Sequence, residues 1–232
     1  MSAKVYYYPS TGRANAVRLA LSAANIPFED VYPRSGFPPS EEDKAKWREI
    51  GGNITTNIPM LEMADGKVYT QSSAILRAIG RMGNLFPPNH GTDIEIMYTT
   101  EKLIEDAADL RNESYKSYLV WGAPQSACDA FIESVLPKHL GNFERQVEES
   151  NGDYFVGDSL TLVDVVCYDA IVNYGSFRVP GILDGFPKLQ AWKGRVEEDK
   201  GIKKYLSSRE YARLYKFGPE SLGKPSNFRV NH

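Results

Sequence analysis

"KVYYYPSTGRANAVRLAL", residues 4–21, decides how the N-terminal half is built. Val5 and three successive tyrosines favour an extended strand. Pro9, Ser10 and Gly12 supply a turn, and Val17, Leu21 and Ala24 then recur at helical spacing. Asn25 and Pro27 end that helix. "FEDVYP", residues 28–33, alternates apolar and polar and reads as a second strand. Such a strand–helix–strand unit closes as a parallel crossover. Three phenols in series exceed what packing one strand requires. Strand parity puts Val5 and Tyr7 on one face and Tyr6 and Tyr8 on the other. Ligands of open sheets gather at the carboxyl ends of strands, which favours Tyr7 or Tyr8 over Tyr6.

The chain continues with "SEEDKAKWREI", an acidic helix start for which Ser40 is the N-cap. "IPMLEM", the turn "ADG" and "KVYT" form a hairpin. "SSAILRAIGRM" is a helix with Ile75, Ile79 and Met82 on one face. This order of elements defines a small thioredoxin-like α/β domain over residues 1–82. "GNLFPPNHG", residues 83–91, is rich in loop formers and reads as a linker. Residues 92–232 read as an all-α bundle with a loose tail from about Phe217. Pro137 interrupts the second long helical segment, and "GIKKYLSS", residues 201–208, finishes the bundle. The nearly apolar "TLVDVVCYDAIVNY" is the central buried helix, opened by a capping box of Thr161 and Asp164.

Composition narrows the function classes. The 232 residues carry 27 basic and 30 acidic side chains, a net charge of −3, with no run of lysine and arginine that would mark a nucleic-acid footprint. Cys128 and Cys167 lack metal or disulfide spacing and read as free thiols in a reducing compartment. His90, His139 and His232 have no partner at ligand spacing, so no metal site is expected. The opening residues lack the apolar core of a signal peptide, and no apolar run has spanning length. A cytoplasmic protein without membrane contact is the expectation.

Four stretches together resemble the cytosolic glutathione transferases: "YYPSTGRANAVRLAL", "NIPMLEMADGKVYTQSSAILRAIGR", "YFVGDSLTLVDVVCYD" and "GFPKLQAWKGRV". They stand in the family's order and span residues 4–215. The aromatic pair before "GR" and "TQSSAIL" look most like the tyrosine-type classes, with sigma first and mu, alpha and pi as relatives. The resemblance implies glutathione as co-substrate, a hydrophobic electrophile, a homodimer and a role in detoxification. It also implies a catalytic tyrosine, which an ungapped count back from "GR" puts at Tyr7. Ser10 is second, because serine-type relatives use a hydroxyl shortly after the first strand.

The chemistry sets a magnitude. A thiol of pKa about 8.5 is only a few per cent thiolate at neutral pH. Lowering that value by about two units takes about 2.7 kcal/mol of preference for the anion. A directed phenol hydrogen bond to the thiolate has the right sign and size, so Tyr7 acts as donor and not as general base. The same resemblance implies a cis bond at Ile58-Pro59, whose backbone pairs with the cysteinyl part of glutathione. It implies that Gln71 and Ser72, at a helix start, hold the γ-glutamyl carboxylate; Ser72 is alternatively the N-cap. Trp47 and Asn57 fall near the glycyl end and the backbone, and Arg13 orders the loop or tunes the phenol. The family's lysine shortly after Trp47 is replaced by "WREIGGN". The acid supplied by the neighbouring subunit aligns with Lys102, so Glu101 is the candidate, with Glu105 and Asp106 a turn away. Tyr8, Ser10, Tyr115 and Tyr118 are candidates for an apolar electrophile pocket between the domains.

Two other functions share these residues. One is a glutathione-dependent isomerase of the prostaglandin D synthase kind. The other is a non-enzymatic relative of the S-crystallin or ligand-carrier kind, which would tolerate loss of Tyr7, Gln71 or Ser72.

Overall fold

The computed structural model describes residues 2–50, 57–118, 122–150 and 152–218. Four short strands form one sheet: β1 (Ala3–Tyr6), β2 (Phe28–Val31), β3 (Met60–Glu62) and β4 (Val68–Thr70), in the order β2-β1-β3-β4. β1 and β2 pair in parallel across helix α1 (Asn15–Ala23), while β3 pairs antiparallel with both β1 and β4. Helix α2 (Glu41–Glu49) starts as its sequence dictates: the Ser40 hydroxyl accepts the Asp43 N–H at 3.1 Å. Helix α3 (Ser72–Met82) follows β4. A sheet of this topology flanked by helices is the thioredoxin-like arrangement.

The second half is helical. Helix α4 (Ile94–Lys116) is capped by the Asp93 carboxylate, which accepts the N–H groups of Glu95 and Ile96 at 2.9 and 3.2 Å. Helix α5 (Gln125–Ala130) passes through a π-helical turn, Phe131–Val135, into α6 (Leu136–Glu149). Pro137 has no N–H to give, and the hydrogen-bond ladder widens in the turn ahead of it. Helix α7 (Leu162–Tyr168) is buried at every residue and continues as a second π-helical stretch, Asp169–Ser176. At its start Asp164 accepts four hydrogen bonds, from the Thr161 N–H (2.9 Å) and hydroxyl (2.8 Å), the Phe155 N–H (3.1 Å) and the Trp192 indole (2.9 Å). Burial pushes this carboxyl up, and the four donors oppose that. Trp192 lies on α8 (Pro187–Glu198), so a local capping signal also ties two helices together.

The chain forms two compact units, and the division does not follow sequence order. The first contains residues up to Leu85 and also Lys200–Tyr215; the second contains Phe86–Asp199 and continues again from Lys216. "GIKKYLSS", counted with the bundle from its pattern, therefore belongs to the first unit. Helix α9 (Lys200–Leu206), followed by α10 (Arg209–Arg213), packs against α1. Gly201 permits that approach, since a β-carbon there would lie 2.0 Å from the Ser22 carbonyl oxygen. The composition expects a loose tail from about Phe217. Phe217 is buried, with its ring 5.3 Å from that of Tyr118. The rest of the expected tail, from residue 219, lies outside the described residues.

Candidate active site

The three tyrosines part at the end of β1. Tyr6, the last strand residue, is buried with Trp47 and Met60, and its hydroxyl donates to Glu62. Burial and that carboxylate push its phenol far up, so its proton is committed. Tyr8 is buried too, with its ring 5.7 Å from Tyr7 and 5.6 Å from Phe37; burial, with Tyr7 and Asp43 nearby, pushes its phenol up to about 12. Tyr7 alone of the three is partly exposed, and its hydroxyl oxygen accepts the Arg13 N–H at 3.0 Å. Arg13 thus meets the phenol through its backbone. A hydroxyl that accepts one hydrogen bond is polarised into a better donor.

Sheet register brings distant residues to this point. Tyr6 faces Met60, and Met60 faces Thr70. One step further along each chain sets Tyr7, Pro59 and Gln71 abreast at the same end of β1, β3 and β4. The Ile58-Pro59 bond is cis. Gln71, not Ser72, occupies the N-cap position of α3, with an unusual φ of 67° for a residue with a side chain. Ser72 is the first helical residue, so it lies in the turn whose N–H groups point out of the helix. A helix start beside a cis-proline edge can receive a carboxylate next to an extended peptide. Asn57 is exposed just ahead of this edge. Trp47 is only 5% exposed and fills the core with Tyr6 and Met60, so packing is its evident task. Gly51 and Gly52, the glycines of "WREIGGN", lie outside the described residues.

Arg18 is the functional neighbour that sequence reasoning missed. It reads as one more polar residue on α1, yet its side chain is fully buried. Nε donates to Asp30 at 2.8 Å, Nη1 to the Ser10 carbonyl at 2.7 Å and Nη2 to the Tyr8 carbonyl at 3.3 Å. The guanidinium sits 5.9 Å from the Tyr7 ring centre. It therefore clamps the loop that leaves Tyr7 onto β2. The same loop is held from its other side by Tyr215, which donates to the Pro9 carbonyl and accepts from Thr11 N–H, each at 2.9 Å. Ser10 is consequently 3% exposed, a poor position for a second hydroxyl donor. A cleft of about 1190 Å³ lies elsewhere in this unit, beside α1 and β2, and none of the expected site residues line it.

The remaining candidates stand in the second unit. Glu101, on α4, lies 3.6 Å from Nε2 of buried His90. Lys102 is engaged with Asp106 at 2.8 Å and Gln146 at 2.7 Å. Tyr115 shares a 2.9 Å hydroxyl–hydroxyl hydrogen bond with Tyr174. Tyr118 is fully buried beneath the Arg178 guanidinium, 3.7 Å from its ring centre. Its role is internal stacking. Among the described residues no group of His, Cys, Asp or Glu could hold a metal ion, and no helix is long and apolar enough to cross a membrane.

The four-stranded sheet and the helices that flank it define a protein with a thioredoxin-like domain followed by a helical one. Comparison with known proteins narrows this. A family model for the glutathione S-transferase N-terminal domain matches residues 1–81, and one for the C-terminal domain matches residues 108–209. Glutathione S-transferase alpha-5 of Rattus norvegicus is 28% identical over 203 residues, 87% of this chain and 87% of that protein. Glutathione S-transferase A3 of Homo sapiens is 29% identical over 204 residues, covering 88% and 87%. Among solved structures, the pi-class glutathione S-transferase of Onchocerca volvulus shares the fold with a TM-score of 0.75 at 24% identity, covering 92% of this chain and 96% of that one. The chain belongs to the glutathione S-transferase family and is a glutathione transferase. These relatives carry alpha and pi names; the sigma likeness has no counterpart among them.

Proposed function

We propose that this protein conjugates glutathione to hydrophobic electrophiles through a thiolate held by the Tyr7 hydroxyl. The reading is supported above all by the register that sets Tyr7, Pro59 and Gln71 abreast, with the Tyr7 oxygen already accepting the Arg13 N–H. Glutathione supplies the thiol that becomes the nucleophile. In that role the Tyr7 proton faces the sulfur, the backbone at Ile58 pairs with the peptide, and Gln71 with the start of α3 takes the γ-glutamyl carboxylate. Asn57 serves the glycyl end. The thiol proton passes to water. The new S–C bond forms as the electrophile's leaving group departs with its electron pair. Tyr8, whose ring lies 5.7 Å from that of Tyr7, and Ser10 border the electrophile within the first unit. Detoxification in the cytoplasm is the role this activity fits.

A homodimer completes the reading. Ile94, Met97 and Tyr98 expose 65%, 38% and 61% of their surface along one face of α4. Glu101 follows at the next helical step on that face, four residues after Met97 and three after Tyr98. An apolar stripe ending in an acid suits a subunit interface that offers Glu101 to the partner's glutamyl ammonium.

The experiment is the rate of conjugation to a chlorodinitrobenzene for wild type, Tyr7→Phe and Ser10→Ala, with glutathione affinity measured alongside. Loss of the two-unit stabilisation lowers the Tyr7→Phe rate about 50-fold near pH 6.5 with affinity retained. Ser10→Ala stays within about twofold. A Tyr7→Phe enzyme as fast as wild type refutes the assignment, and binding without turnover in the wild type points to the isomerase or the carrier.

A further inference from the structure

We infer that Gly12 is a positioning residue for the reaction, because the space its absent side chain leaves is the space the Tyr7 phenol occupies. A β-carbon built at Gly12 would lie 2.6 Å from the Tyr7 hydroxyl oxygen, 2.8 Å from Cε1 and 3.1 Å from Cζ. Non-bonded carbon contacts relax at about 3.5–4.0 Å, so one methyl group and this phenol cannot share the site. The clash is aimed at the reacting end of the ring and not at its root. Gly12 also has φ +38°, and the next residue in the chain, Arg13, gives the N–H that the Tyr7 oxygen accepts at 3.0 Å. Space and hydrogen bond are thus set by one turn. Any side chain at residue 12 must push the hydroxyl off the position from which it meets the sulfur.

The inference rests on the Tyr7 reading above, and the two fail differently. The variants are Gly12→Ala, Tyr7→Phe and the double variant Gly12→Ala/Tyr7→Phe. The readouts are kcat, the pH–rate profile, and affinity for S-methylglutathione, which fills the peptide site without a thiol to ionise. Gly12→Ala is expected to lose about 10- to 50-fold in kcat near pH 6.5 and to move its profile toward the free thiol's pKa of about 8.5. Affinity for S-methylglutathione stays within about threefold, and the double variant is no slower than Tyr7→Phe within about twofold. A folded Gly12→Ala enzyme with the wild-type profile overturns the inference, as does a double variant in which the two losses multiply. A wild-type profile for Tyr7→Phe overturns the Tyr7 reading itself.

Backbone conformation at φ +38° strains any L side chain, so Gly12→Ala can fail to fold for that reason alone. The second variant, Gly12→Ala/Tyr7→Ala, removes the ring that the methyl meets. Recovery of folding and S-methylglutathione binding supports the inference. Continued failure to fold overturns it, because the backbone alone would then demand the glycine.

Discussion

Replacing Arg18 with Met tests whether the catalytic loop is held by one buried cation. The change removes a guanidinium that is fully buried and leaves the Asp30 side chain, only 9% exposed, without its 2.8 Å partner. Breaking a buried pair by deleting one member costs about 3–5 kcal/mol, because the remaining charge stays desolvated. The Ser10 and Tyr8 carbonyls, at 2.7 and 3.3 Å, lose their donors as well, at about 1 kcal/mol together once water reaches them. The total is about 4–6 kcal/mol, which for a chain of this size lowers Tm by on the order of 10–20 °C. Differential scanning calorimetry measures that loss. Arg18→Met/Asp30→Leu separates the two tasks of the residue. Removing both charges recovers much of the stability, while the loop carbonyls remain undonated, so conjugation stays at least about fivefold below wild type. An Arg18→Met protein with wild-type Tm and kcat would refute the argument. Full recovery of kcat in the double variant would show that Tyr7 needs no clamp on the loop behind it.

Other consequences can be measured independently. Asp43 is held down to about 2: burial opposes its ionisation, but the hydroxyl and N–H of Ser35, the Arg34 N–H and Ser40 outweigh it. Its folded pKa lies below the unfolded value, so its contribution is complete above about pH 4 and disappears as pH falls toward 2; Asp43→Asn should flatten the pH dependence of Tm in that window, and an unchanged slope would remove Asp43 as the cause. Asp164→Ala strands the Trp192 indole and the Phe155 and Thr161 N–H groups inside the second unit, so unfolding in urea should lose about 3–5 kcal/mol; a change under 1 kcal/mol would deny it the role of a hub. Tyr98→Asp puts a charge on the exposed stripe of α4, and sedimentation should then find the monomer; a variant that sediments like the wild type would exclude that face as the interface.

Local chemistry made several features legible. The Ser40 cap, the crossover around α1, the interruption at Pro137 and the buried α7 each depend on residues within a few positions of one another. Tyr7 is less legible: strand parity leaves Tyr7 and Tyr8 open, and only the likeness to the family chooses between them. Trp47 was placed by the same likeness at the glycyl end, yet its indole is enclosed with Tyr6 and Met60, because α2 lays that side of its surface on the sheet.

The sequence by itself therefore determined the elements, their order and the family, since periodicity, caps and turn residues act through bonds and the nearest helical or strand neighbours. Tertiary structure alone decided which arginine holds the loop after Tyr7. Arg13 stands beside the motif but reaches the phenol only through its N–H, whereas Arg18 meets Asp30 because a parallel crossover brings residues twelve apart face to face. It also decided that α9 belongs with the first unit, through a close approach of Gly201 to Ser22 that no local pattern announces. Most of all it made Gly12 matter, because the cost of a side chain there is set by a tyrosine ring that folds back over the turn.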